Sequence, residues 1–217
     1  MIRKELSALI WKEFILEWRQ RYALGGIALY VVSTVYIIFF TFTRLLPQSW
    51  NAMFWVVALF AAVNAVAKSF AQENSQRQLY YYTLAHPIGV IIAKMIYNTV
   101  LLFVLMLLSF GAFSLLTGNP VQRLDIFFLV LLMASFGFAI AFTFISGIAA
   151  KANQNSTLMA ILGFPVVIPI LAMLIRLSAN ALRILDSNWS QDIMMLLAID
   201  AILLTLALIL FPFLWRD

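Results

Sequence analysis

Apolar residues in this chain come in six long runs parted by shorter polar stretches, and only the first twenty or so positions break that rhythm. Residues 2–21 (IRKELSALIWKEFILEWRQR) follow a helical period. Ile10, Trp11, Phe14, Ile15 and Trp18 fall within one arc of the wheel, Glu5, Lys12, Glu13, Glu17 and Arg19 crowd the other side, and Leu9 and Leu16 are exceptions. The segment is too charged to cross a bilayer. Tryptophans on its apolar arc and basic residues at both ends predict a helix lying along the headgroup layer. A helix packed on a neighbouring soluble subunit would show the same pattern.

Each of the six runs meets the roughly 20 apolar residues that a bilayer requires. They lie near 22–41, 52–70, 92–116, 124–149, 158–177 and 193–215. The connections 42–51 and 117–123 hold turn formers, Pro47 in one and Gly118, Asn119 and Pro120 in the other, and 151–157 (KANQNST) is a polar turn. The connection 178–192 mixes Leu182, Ile184, Leu185 and Trp189 with Asn, Asp and Ser, which fits short helical pieces at the interface anchored by Trp189, or an ordinary polar loop. The fold class expected is all-α, a polytopic membrane protein with an N-terminal interfacial helix and six spans. No repeat or low-complexity tract divides the chain, so 1–217 reads as a single transmembrane domain.

Composition narrows the function. The chain is 65% hydrophobic and 11% charged, with a mean hydropathy of +1.00, against roughly 25% charged residues in a soluble domain. Its net charge of +5 does not point to nucleic acid, because the basic residues flank apolar runs, where they act as topology signals and headgroup contacts. With no cysteine, there is no disulfide, thiolate metal site or covalent haem attachment. No cleavable signal is expected, since the first apolar run follows a mixed segment with acidic as well as basic members.

Counting Lys and Arg orients the spans. Arg3, Lys4, Lys12, Arg19, Arg21, Lys68, Arg77, Lys94, Lys151 and Arg216 fall on one side, and Arg44, Arg123, Arg176 and Arg183 on the other. The positive-inside bias then places both termini and the 68–94 connection in the cytoplasm.

That connection (KSFAQENSQRQLYYYTLAHPIGVIIAK) is too long for a simple turn. After Gln72 it passes through Glu73 and Arg77 to LYYYTL, then His86 and Pro87. Tyrosines 80, 81 and 82 suit the headgroup level. Pro87 lacks an N–H and disfavours helical geometry one residue earlier, so it is expected to end the helix before it. A short cytoplasmic helix over 72–87 able to seat in a groove of a soluble partner is the result; a surface helix that binds nothing has the same charge pattern.

Catalytic signatures are missing. The one histidine is His86, and no GxxxxGK[ST] loop, nucleophile elbow or HExxH pair occurs. The chain is therefore read as no enzyme, with His86 a solvated turn residue rather than a haem or metal ligand. Polar groups inside the spans are the remaining candidates. Asn64 and Lys68 share a face of the second span, Asn98 is in the third, and Asp200 lies in the sixth. An acidic group in a span marks a partner or pathway by default, although about 10 Å from the outer end, at ~1.5 Å per residue, it could also reach water. Pro165 and Pro169 free two backbone carbonyls in the fifth span and predict a bend or hinge. Gly137 with Ala141, and Thr143 with Gly147, put small residues along one side of the fourth and allow close helix approach.

An N-terminal interfacial helix, six spans and a second cytoplasmic connection that runs from acidic and polar through leucine and aromatics to proline resemble the membrane subunits of ABC-2-type exporters. Within that group, QLYYYTLAHP leading to AKMIYN, with the proline pair in FPVVIPIL, is most similar to the CcmB family, the B subunit of the haem exporter of cytochrome c maturation. The superfamily's Glu-rich, Gly-containing entrance to this connection is absent here, where Glu73 stands alone.

The resemblance implies a permease subunit in the bacterial inner membrane with no nucleotide site of its own. A cytosolic ABC ATPase would dock on a coupling segment 72–87, contacting Glu73, Arg77, Leu79, Tyr80, Tyr81, Tyr82, His86 and Pro87. It also implies further cytochrome c maturation membrane subunits and a second membrane subunit, ATP used through the partner, and haem as cargo or as the load of a chaperone to be released. Two other readings share these residues: an ABC-2 permease for a lipid, drug or glycan, and a non-transporting scaffold of an assembly complex.

Overall fold

The computed structural model describes residues 2–19, 21–42, 44–67, 86–151, 156–185 and 188–216. Among them are seven helices and no strand: α1 Ile2–Arg19, α2 Arg21–Thr41, α3 Pro47–Val66, α4 Pro87–Thr117, α5 Leu124–Lys151, α6 Ser156–Ala181 and α7 Trp189–Arg216. Six of these, α2 to α7, are long and apolar enough to cross a membrane. The chain is an all-α polytopic membrane protein.

Several helix ends differ from the sequence reading, and proline explains two of them. Pro47, read as part of a connection, is in the first turn of α3, and Pro87, read as the end of a preceding helix, opens α4. Proline costs nothing there, because the first helical N–H groups have no intrahelical acceptor anyway. The second span thus begins at Pro47 rather than near residue 52, and the third at Pro87 rather than near residue 92.

The 178–192 connection holds no separate helix among its described residues. Instead α6 continues to Ala181 and stops in a Schellman turn: Ile184 N–H donates to Ala179 O at 2.9 Å and Arg183 N–H to Asn180 O at 3.0 Å. Arg183 takes the left-handed conformation, φ 53°, that glycine usually supplies. The amides of Gln122 and Arg123 both donate to Ala181 O, at 3.2 and 3.0 Å, so the loop after α4 caps the end of α6.

The six spans, α2 to α7, alternate in direction. The described residues of loops 42–46, 118–123 and 182–188 gather at one end of the bundle; α1, the start of α4 and the end of α7 lie at the other. Helix α5 is central, with 78% of its span buried, whereas α2 and α7, at 11% and 17%, are peripheral and left uncovered by the rest of the chain over most of their surface. Side chains of α5 such as Phe127, Leu131, Ala134, Phe138 and Phe142 are buried in the main core with α3, α4 and α6. A smaller cluster of Ile91, Met95, Ile140, Ala207 and Phe211 joins α4, α5 and α7.

The loop-bearing end is locked by aromatics. Trp50 stacks on Phe54 with ring centroids 5.5 Å apart and meets Phe113 edge-on at 5.5 Å, while Phe110 and Phe127 approach to 4.9 Å. Indole N–H groups buried in such a cluster need acceptors. Trp50 Nε1 donates to Thr117 Oγ1 at 3.0 Å and Trp55 Nε1 to Ser178 Oγ at 2.7 Å. Ser178 Oγ is also 2.8 Å from Asn51 Oδ1, and Asn51 Nδ2 donates to Ile175 O at 3.1 Å. These bonds tie α3 to α4 and α6 with all partners inside the protein, which lipid demands.

Candidate functional site

The most enclosed charged contact among the described residues lies where α1 rests on the first turns of α4. Helix α4 has 31 residues, about 46 Å at ~1.5 Å per residue, and a bilayer core is only about 30 Å thick. Its Pro87–Lys94 start can therefore stand clear of the hydrocarbon. Three contacts fasten α1 there. Leu9 covers Gly89, where an added Cβ would lie 3.6 Å from Leu9 Cδ1. Lys94 Nζ stands 3.3 Å from Glu13 Oε2. Phe14 meets Tyr97 edge-on, with centroids 5.1 Å apart and planes at 87°. In order, 9, 13 and 14 meet 89, 94 and 97, so the two helices run in the same direction.

The ion pair is enclosed. Lys94 has 1% of its side chain exposed and Glu13 10%. Lys12 Nζ takes the other carboxylate oxygen, Oε1, at 3.0 Å, so both oxygens of Glu13 are engaged. Such a pair holds only while both members are present, because either charge alone would be buried without compensation.

This corrects the reading of α1. Glu13 was assigned to the water-facing side, yet it is the buried member of the stripe Leu9, Glu13, Leu16, and Trp11 and Ile15 of the apolar arc are exposed. Leu9, one of the two supposed exceptions, lies on the docking face, which Glu13 and Phe14 of the apolar arc share.

Of the predicted coupling residues, Glu73, Arg77, Leu79, Tyr80, Tyr81 and Tyr82 lie outside the described residues, as does the intramembrane candidate Lys68. His86 is exposed in extended conformation as the N-cap of α4, and Pro87 follows it in the first turn.

The intramembrane candidates separate. Asn64 is exposed on α3 and its Nδ2 donates to Phe60 O of its own helix at 2.9 Å. Asn98 is buried, and its Nδ2 donates to Thr143 Oγ1 of α5 at 2.7 Å. Pro165 and Pro169 are exposed on α6, which runs through both, while Gly163 turns the opposite way, toward Phe142 and Ile145 of α5. Asp200 does not reach water: its residue is 2% exposed and its carboxyl lies against Gly137 of α5. The small-residue face foreseen on the fourth span thus receives two polar side chains, Asn98 at Thr143 and Asp200 at Gly137. Sequence reasoning picked out each of these four positions but paired none of them.

What the arrangement can do is mechanical. Two buried polar links join α4 to its neighbours: Glu13–Lys94 to α1, and Asn98–Thr143 to the central helix α5.

No curated protein matches the sequence. The family comparison is specific: residues 4–214 match the CcmB protein family. A match over nearly the whole chain, on a fold with six apolar spans, leaves one assignment. The chain belongs to the CcmB family, the membrane permease-type subunits of the ABC haem exporter system of cytochrome c maturation.

Proposed function

We propose that this chain transmits force rather than generating it. A separate cytosolic ATPase docks on 72–87, its nucleotide cycle displaces that segment, and α4 with α1 clasped to it carries the displacement into α5 as a rigid-body tilt. The observation that carries this reading is the enclosed Glu13–Lys94 pair at the foot of the helix that follows the coupling segment. It makes two helices move as one.

The chain itself hydrolyses no ATP and holds no cofactor in this scheme. It works in the inner membrane with both termini in the cytoplasm, beside other cytochrome c maturation subunits and a second membrane subunit, so that two ATPases are served. The step driven is release of haem-loaded chaperone rather than passage of haem through one copy.

The test is the double charge reversal Glu73→Lys with Arg77→Glu. Membrane insertion is expected to persist, with loss of ATPase docking or of its coupling to cytochrome c maturation. Survival of both would place the coupling contact elsewhere.

A further inference from the structure

Asp200 stands about 16 Å beyond Trp189, the first residue of α7, at ~1.5 Å per residue, close to the middle of a bilayer core about 30 Å thick. It is 2% exposed, and neither carboxyl oxygen has a hydrogen-bond partner among the described residues. The group fills a notch in α5. A Cβ on Gly137 would lie 2.7 Å from Oδ1 and 3.3 Å from Oδ2 and Cγ, so the carboxyl occupies the space that the missing side chain leaves.

The described charged side chains on the helices around it are engaged elsewhere, and Lys151 lies at the far end of α5. On α4, Lys94 is bound to Glu13; on α6, Arg176 Nη2 is 3.4 Å from Asp192 Oδ1, two turns nearer the loop-bearing end. On α5, Asp125 is at the first turn with Arg123. Among the described residues no donor or cation compensates a charge at Asp200, and a carboxylate ion buried in hydrocarbon without one is among the costliest groups a protein can hold. A neutral acid, lacking only a weak hydrogen bond, is far less so.

From this geometry we infer that Asp200, seated in the Gly137 notch, is a proton-binding site in the middle of the membrane. The ligand is a single proton, taken from water onto a carboxyl oxygen and returned to water when the carboxylate forms. Neither a motif nor the family match assigns such a site, and the inference stands apart from the coupling of ATP hydrolysis at 72–87.

Infrared spectroscopy of the full-length chain in phospholipid vesicles tests it without any activity assay. The wild-type minus Asp200→Asn difference spectrum at neutral pH should contain the C=O stretch of an un-ionised carboxylic acid, at the high frequency of one without strong hydrogen bonds. Raising the pH should abolish that band as carboxylate bands grow. Labelling wild-type aspartate with carbon-13 should shift the same band, a measurement that needs no variant to fold. Carboxylate bands alone at neutral pH, in the difference and isotope-edited spectra, would overturn the assignment.

Discussion

Lys94 Nζ and Glu13 Oε2 meet at 3.3 Å across 81 residues of chain, inside an α1–α4 contact that leaves the lysine 1% exposed. Removing one member of such a pair strands the other charge, at a cost of about 3–5 kcal/mol when burial is complete. Glu13→Leu or Lys94→Met alone should lower the melting temperature of the purified chain. The double substitution should recover most of the loss, since an apolar pair of similar volume is often neutral or better. Equal destabilisation by the double variant would show that the two side chains act separately.

At the loop-bearing end, Ser178 accepts the Trp55 indole N–H at 2.7 Å and lies 2.8 Å from Asn51 Oδ1. Ser178→Ala leaves that N–H buried without an acceptor, which should cost about 1–3 kcal/mol. Trp50→Ala empties the centre of the aromatic cluster and should cost about 3–5 kcal/mol. Thermal denaturation in detergent ranks the two, and the opposite order would mean that the polar links, not the rings, hold this end together.

Gly137→Ala places a methyl group where Asp200 Oδ1 lies, 2.7 Å away. Overpacking of this kind costs about 1–3 kcal/mol. The penalty should largely vanish in an Asp200→Ala background, because contacting residues couple in a double-mutant cycle. A penalty unchanged by Asp200→Ala would trace the effect to some other neighbour of Gly137.

Because the chain contains no cysteine, single introduced cysteines report topology directly. Tyr81→Cys should react with a membrane-impermeant maleimide only from the cytoplasmic side, and Arg183→Cys only from the opposite side. Labelling of Tyr81→Cys from outside would reverse the orientation and remove the coupling segment from reach of a cytosolic ATPase.

The sequence by itself determined the class of this protein and its plan. Six apolar runs fixed the number of spans, because crossing hydrocarbon sets a minimum length and excludes charge, and the order of polar, tyrosine-rich and proline segments carried the family resemblance. Where a helix borders water, the pattern also held part of the docking face, as Leu9 and Phe14 show.

Only the tertiary structure decided which residues meet. A span that is apolar all round carries no amphipathic signal, so nothing local says that α5 is central and α2 peripheral, or that Asn98 finds Thr143 and Asp200 finds Gly137. Periodicity reports a residue's face on its own helix; the partner across the gap depends on how every other helix packs. Glu13 shows the difference most clearly, since a carboxylate reads as water-facing until the fold brings Lys94 to it.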